Sequence, residues 1–176
     1  MIEPGTHRFG PSNATLSVHT RRGGAAAKAG HDLLLHVTAW EGTLTIGGDG
    51  APAAAELSAD ATSLRVQKGT GGMKPLDDED KANIHQTIDD EVLERRDIAF
   101  RSTSVDGGWA DGELTLGDRT RPLSVSLTVA DDGTVTATAT VRQSEWGMKP
   151  YSALFGTLKV LDEVEIALEG HAEWAT

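Results

Sequence analysis

The stretch from Gly112 to Val129 constrains the fold of this chain most, because its pattern predicts two amphipathic strands joined by a turn. Apolar and polar residues alternate along 113–116 and again along 123–129, the period-two pattern of strands with one buried face. Gly117-Asp118 interrupts the pattern, and Pro122 fixes the backbone where extended structure resumes. A hairpin cannot bury its apolar face alone, so the rest of the chain must supply a partner face.

Similar alternation recurs along the chain and predicts about eight strands separated by turns. It is cleanest over 134–141, where the threonines face one way and the valines and alanines face the other. Strands of this kind need a sandwich or a closed barrel to remove their exposed sheet edges. At 176 residues the chain is long enough to bury a real core, and we expect a single domain over residues 1–176.

One segment departs from the strand pattern. Ile84, Ile88 and Val92 recur at i, i+4 and i+8, which predicts a short helical insertion at about residues 76–94. Pro75 and the acidic residues after it mark the beginning of this helix. The insertion could also be two short helices broken near residues 87–90, with Asp89 capping the second.

Composition excludes several classes of partner. The formal net charge of −11 disfavours nucleic acid and electrostatic docking on an anionic membrane. With no cysteine, the chain has no disulfide framework and no thiolate chemistry. The N-terminus lacks the basic and apolar regions of a signal peptide, and no apolar run approaches the roughly 18 residues of a transmembrane helix. We therefore expect a cytoplasmic protein without a membrane-spanning segment.

Small residues dominate the predicted inward faces. A barrel of eight strands lined by small side chains has room for one elongated apolar ligand. The same residues would equally suit close packing of the helix or of two sheets. The alanines concerned are Ala53, Ala55, Ala59, Ala110, Ala137, Ala139 and Ala172.

The order and spacing of several segments identify a family resemblance over nearly the whole chain. These segments are Gly30-His31-Asp32, Thr62-Ser63-Leu64, Arg96 to Ser102 after the acidic helical insertion, the hairpin from Gly112 to Leu127, and Arg142 to Gly147. In this respect the chain resembles the YceI-like family of lipid- or polyisoprenoid-binding proteins. It departs from that family at Arg96, where relatives often carry an aromatic residue and a proline before the aspartate. Many relatives are also exported.

The resemblance implies a mainly β, antiparallel, eight-stranded, lipocalin-like β-barrel with helices near its opening. It also implies a long-chain isoprenoid or acyl lipid in the lumen and no catalytic activity. We expect the tail of that lipid to lie against the apolar residues that face the lumen or its mouth. These are Leu44, Leu57, Phe100, Leu114, Leu116, Val125, Leu127, Ala137, Ala139, Val141, Trp146, Phe155 and Ile166.

The tetrapeptide Gly-Met-Lys-Pro occurs twice, at residues 72–75 and 147–150. The repeat is either a good turn sequence that recurs by chance, or a functional repeat that places Lys74 and Lys149 at one end of the barrel. In the second case the two lysines, with Tyr151, would bind an anionic headgroup. The aromatic residues of 146–155 could line the entrance of the cavity or plug one end of it as core.

Metal and enzyme chemistry find little support in the residues. His31 and His36 are five apart, so on one strand they face opposite sides, and we expect His31 to be a hydrogen-bonding residue at a strand start. Metal-site motifs and a Gly-x-Ser-x-Gly nucleophile elbow are absent from the sequence. We therefore expect a lipid carrier or storage protein without metal or cofactor. A ligand-free barrel with a stress or interaction role, an enzyme using the pocket, and a homodimer stay open.

Overall fold

The computed structural model describes residues 2–153, 156 and 158–174, and within them the chain is mainly β. The strands are β1 (Gly5–Phe9), β2 (Ala14–Thr20), β3 (Arg22–Gly23), β4 (Asp32–Val37), β5 (Trp40–Ile46), β6 (Pro52–Ala59), β7 (Leu64–Thr70), β8 (Ile98–Asp106), β9 (Trp109–Leu116), β10 (Arg119–Val129), β11 (Thr134–Arg142), β12 (Ser152–Ala153), β13 (Leu158–Val160), β14 (Glu163–His171) and β15 (Glu173–Trp174). The helical elements are α1 (Asp78–Thr87), a π-helical segment (Ile88–Val92), and 3₁₀ turns at Ala27–Ala29, Ala61–Ser63 and Gln143–Trp146.

Twelve of these strands form one antiparallel sheet, in the order β15-β1-β5-β6-β8-β9-β10-β11-β14-β2-β4-β7. The count exceeds the predicted eight because long runs of alternation are broken by bends. The turn at residues 10–13 separates β1 from β2, residues 38–39 separate β4 from β5, and a 3₁₀ turn separates β6 from β7. A second, small sheet has the order β12-β13-β3 and lies beside the beginning of β4.

The large sheet is curled, and it is open along β7. Residues of β14 pair with β2 while its continuation β15 pairs with β1, so the beginning and end of the chain meet. On the other side, β8 pairs with β6 but not with β7, and β7 pairs with β4. The prediction of a closed eight-stranded barrel is therefore wrong, because the sheet has more strands and does not close. Helix α1, from the segment between β7 and β8, packs beside β7 where a strand would be needed.

The helix begins at a reciprocal capping box. The Asp80 N–H donates to the Asp77 carboxylate at 2.8 Å, and the Asp77 N–H donates to Asp80 Oδ2 at 3.1 Å. The first of these bonds lowers the pKa of Asp77. Contrary to the two-helix interpretation, α1 continues without a break into the π-helical segment. Asp89 is buried there, 3.3 Å from the His85 Nε2 atom, and it caps no helix.

Apolar residues of the inner sheet face form two clusters. The larger includes Leu35, Trp40, Leu44 and Ile46, and the smaller surrounds Trp146. Ile84 and Ile88 of the helical segment pack against the larger cluster. No helix in the described ranges has both the length and the apolar character needed to cross a bilayer.

Candidate functional site

The inner face of the curled sheet and the helical segment surround a cavity of about 820 Å³. Its wall is overwhelmingly apolar, because the period-two alternation of each strand points one set of side chains inward. Eleven residues predicted to contact a lipid tail lie on this wall. They are Leu44, Leu57, Phe100, Leu114, Leu116, Val125, Leu127, Ala137, Ala139, Val141 and Ile166.

The alanines explain much of the open volume. Ala137 and Ala139 point inward yet are only partly buried, because their methyl groups face the cavity instead of other side chains. Ala53 is an exception, being exposed. The register between β5 and β6 shifts at Thr45, and this bulge turns Ala53 away from the interior. Of the two interpretations of the alanines, the structure therefore favours an open lumen.

The helical segment contributes a further part of the wall that the sequence analysis did not assign to the site. Leu76, Ile84, Ile88, Val92 and Leu93 all line the cavity. Their helical spacing was visible in the sequence, but spacing alone does not say whether a stripe packs on core or on empty volume. The stripe covers the open side of the sheet beside β7.

Polar and cationic groups gather at one end of the cavity. Lys74 and Tyr151, two of the residues predicted to bind a headgroup, line it together with Arg22, His31 and Lys159. Three of these side chains, Arg22, Lys74 and Lys159, are cationic, although the protein as a whole carries a net charge of −11.

Hydrogen bonds fix this end of the cavity. His31 Nε2 lies 2.8 Å from the backbone oxygen of Lys74. Arg22 Nη1 donates to the backbone oxygens of Gly30 and Thr70, at 2.7 and 3.3 Å. The loop after β7 is thus tied to the loop before β4, and the two together cover the polar end.

The two Gly-Met-Lys-Pro copies lie at the same end of the sheet, since they follow β7 and β11, whose last residues both point that way. Their lysines nevertheless differ. Lys74 lines the cavity, whereas Lys149 is exposed and lies off its wall. In the second copy Met148 is the buried, cavity-lining residue, so the next side chain along the chain faces solvent.

Trp146 also departs from its predicted position. It is 1% exposed, and its indole N–H donates to the backbone oxygen of Leu114 at 2.8 Å. It belongs to the smaller core cluster and is absent from the cavity wall, which supports the interpretation of Trp146 as core. The predicted contact Phe155 and its neighbour Leu154 lie outside the described residues.

Arg22 and Lys159 are the residues of this end that the sequence analysis missed. Both belong to the small sheet, on strands of two and three residues. Such short strands have no detectable periodicity, so no signal in the sequence marked them. In the described part of the chain, no group of three or more His, Cys, Asp or Glu side chains is arranged to hold a metal ion.

Comparisons with known proteins agree with this architecture. A crystal structure of BcnA from Burkholderia cenocepacia is similar in fold, with a TM-score of 0.58 over 89% of this chain and 94% of that one, at 15% sequence identity. A search of curated proteins found no match. A family model for the YceI-like domain matches residues 11–172. By that match, the chain belongs to the YceI-like family.

Proposed function

We propose that this protein binds one long-chain apolar amphiphile, a polyisoprenoid or fatty-acid derivative, and acts as a lipid carrier or storage protein. The observation that carries the proposal is the cavity itself: an apolar wall with cationic groups gathered at one end. Its volume of about 820 Å³ lies within the range of roughly 300–1,000 Å³ typical of small-molecule sites.

The apolar wall would hold the tail. Burial of each methylene is worth about 0.8 kcal/mol relative to water, so a tail of ten or more carbons supplies ample free energy. A flexible tail suits a wall formed by aliphatic and small side chains from many strands, because no single directional contact is required of it.

The cationic end would hold an anionic headgroup. Lys74 supplies an ammonium group, and Arg22 and Lys159 add positive charge beside it. Asp80 also lines the cavity, so the charge at this end is not uniform. A phosphate or carboxylate headgroup fits this arrangement better than a cationic one.

Binding without catalysis suits the same geometry. The ionisable groups named above lie around the polar end, away from the apolar wall that would surround the tail. His31 contacts a backbone oxygen there instead of a hydroxyl nucleophile. We therefore propose a binding protein and no reaction.

The first test is native mass spectrometry of protein purified without detergent, which we expect to carry a long-chain lipid. Titrations with geranylgeranyl phosphate and geranylgeraniol then test the polar end. We expect Lys74→Glu to weaken binding of the phosphate at least tenfold more than that of the alcohol. Lys149→Glu, in the matching tetrapeptide, is the control and should leave both affinities unchanged.

Two results would contradict the proposal at different levels. Equal losses for the phosphate and the alcohol would mean that Lys74 does not recognise the headgroup. Lipid-free protein that also ignores added prenyl and acyl probes would overturn the assigned function.

A further inference from the structure

The wall of the cavity is not hydrogen-bonded along its full height between β10 and β11. These strands pair with each other only over residues 126–129 and 135–138. Beyond that, β10 is paired with β9 alone and β11 with β14 alone. Residues 119–125 and 139–142 therefore face each other across a gap in the backbone ladder.

Pro122 lies within this gap. The Ala130 N–H donates to Thr134 O, so the even-numbered residues of β10 direct their backbone groups at β11. Leu127, an odd-numbered residue, instead donates to Gly108 O on the other side. Pro122 is even-numbered and has no N–H to donate, so it can make no ladder bond to β11.

Side chains alone separate the cavity from the outer surface at this gap. A groove on the outside of the sheet runs over it. Leu123, Thr138, Ala139 and Ile166 line both the groove and the cavity. The gap has closed ends: the ladder resumes at Ser126 on one side, and on the other the turn Gln143–Trp146 packs against β10. We call this opening, bounded by residues 122–125 and 139–142, the lateral window.

We propose that the lateral window is the passage by which the apolar tail of the ligand enters and leaves the cavity. This inference rests on the proposed function. Parting β10 from β11 breaks no backbone hydrogen bond beyond Ser126. Opening the polar end would instead break the bonds that Arg22 and His31 make there. The window lies toward the same end of the cavity as Lys74, so a headgroup can stay near that end while the tail passes between β10 and β11.

The length and the rim of the window are compatible with the passage of an apolar chain. Four residues of an antiparallel strand span about 14 Å, at roughly 3.4 Å per residue. Trp109, 51% exposed, stands on the rim and offers an amphipathic ring to an arriving apolar chain. The length of the window and the exposed indole on its rim suit an extended apolar chain.

The experiment closes the window with a covalent bridge. The chain has no cysteine, so the pair Ser124→Cys and Thr140→Cys, which extends the register of Ser126 and Thr138, can be joined selectively by a short bifunctional thiol reagent. The control joins Thr128→Cys to Thr136→Cys, register partners where the same strands are already paired. The probe is cis-parinaric acid, whose fluorescence reports its binding in stopped flow.

We expect the Ser124–Thr140 bridge to slow association and dissociation at least tenfold while Kd changes less than twofold. The control bridge should leave both rates unchanged. As a second variant, Leu123→Ala removes a side chain shared by groove and cavity, and it should accelerate both rates several-fold. Unchanged rates in the bridged protein, with binding intact, would overturn the window and leave the proposed function standing. Absence of binding in the unbridged parent protein would overturn both.

Discussion

Replacing Ala137 with phenylalanine tests whether the cavity is open space that a ligand can use. Ala137 lies on β11 between Leu127 of β10 and Leu168 of β14, and its methyl group points into the cavity. A phenyl ring at this position would extend into a volume of about 820 Å³ instead of into packed side chains. The substitution should therefore fill space without forcing neighbouring side chains off their rotamers.

The expected magnitudes follow from the burial of apolar groups. Stability of the lipid-free variant should stay within about 1 kcal/mol of the parent or rise, whereas overpacking of a filled core costs typically 1–3 kcal/mol. The ring takes the place of about six tail carbons, at about 0.8 kcal/mol each, so ligand binding should lose up to about 5 kcal/mol. Since about 1.4 kcal/mol changes Kd tenfold, this corresponds to an increase in Kd of up to about three powers of ten.

Denaturant unfolding of delipidated protein and a titration with a prenyl probe measure these two quantities. Thr136→Phe, on the outer face of the same strand and away from the cavity, is the matched control and should leave binding unchanged. Ala61→Phe provides the contrast, because Ala61 is 3% exposed and lies off the cavity wall, so the ring must overpack its surroundings. A strongly destabilised Ala137→Phe with unaltered binding would refute the assignment of this wall to a ligand cavity.

Two further predictions concern the sheet and the helix beside the site. Gly112→Ala should destabilise the protein by about 1–3 kcal/mol in denaturant unfolding, because a Cβ there would collide with the backbone oxygen of Arg101. The control Gly48→Ala should leave the stability unchanged, because a Cβ at Gly48 would meet open space. The lowered pKa of Asp77 means that its contribution to stability is present above its ordinary pKa of 3.8 and is lost as pH falls below it. Amide protection factors in α1 should then drop below pH 3.8 in the parent but change less in Asp77→Asn, and equal drops would contradict the capping argument.

Alternation predicted the cavity wall well because burial on one face requires it. Each inward residue of an antiparallel strand is two positions from the next, so Leu114, Leu116, Ala137 and Ala139 could be assigned to the interior before any pairing was known. The same rule failed at Ala53. A single bulge in β6 reverses the faces beyond it, and nothing in a run of alanines marks where a bulge falls.

The polar end and the position of Trp146 depend on contacts between distant segments. The hydrogen bond between His31 and Lys74 joins residues 43 positions apart in the sequence, and that between Trp146 and Leu114 joins residues 32 positions apart. Two identical tetrapeptides likewise place one lysine on the cavity wall and the other in solvent, because their surroundings differ. Local patterns determine which residues can be buried, but tertiary contacts decide what each one touches.

The choice of ligand depends on the polar end and the lateral window more than on the apolar wall. The apolar wall of the cavity shields a lipid tail from water whatever headgroup the lipid carries. In a cell, however, such a tail already lies in a bilayer, where it is shielded from water, so its transfer into the cavity is nearly neutral in free energy. A preference of the lipid for the cavity over the bilayer must then come from groups that differ between these two environments. Lys74, Arg22 and Lys159 supply such a difference for an anionic head, and the lateral window is the passage that we propose for the tail.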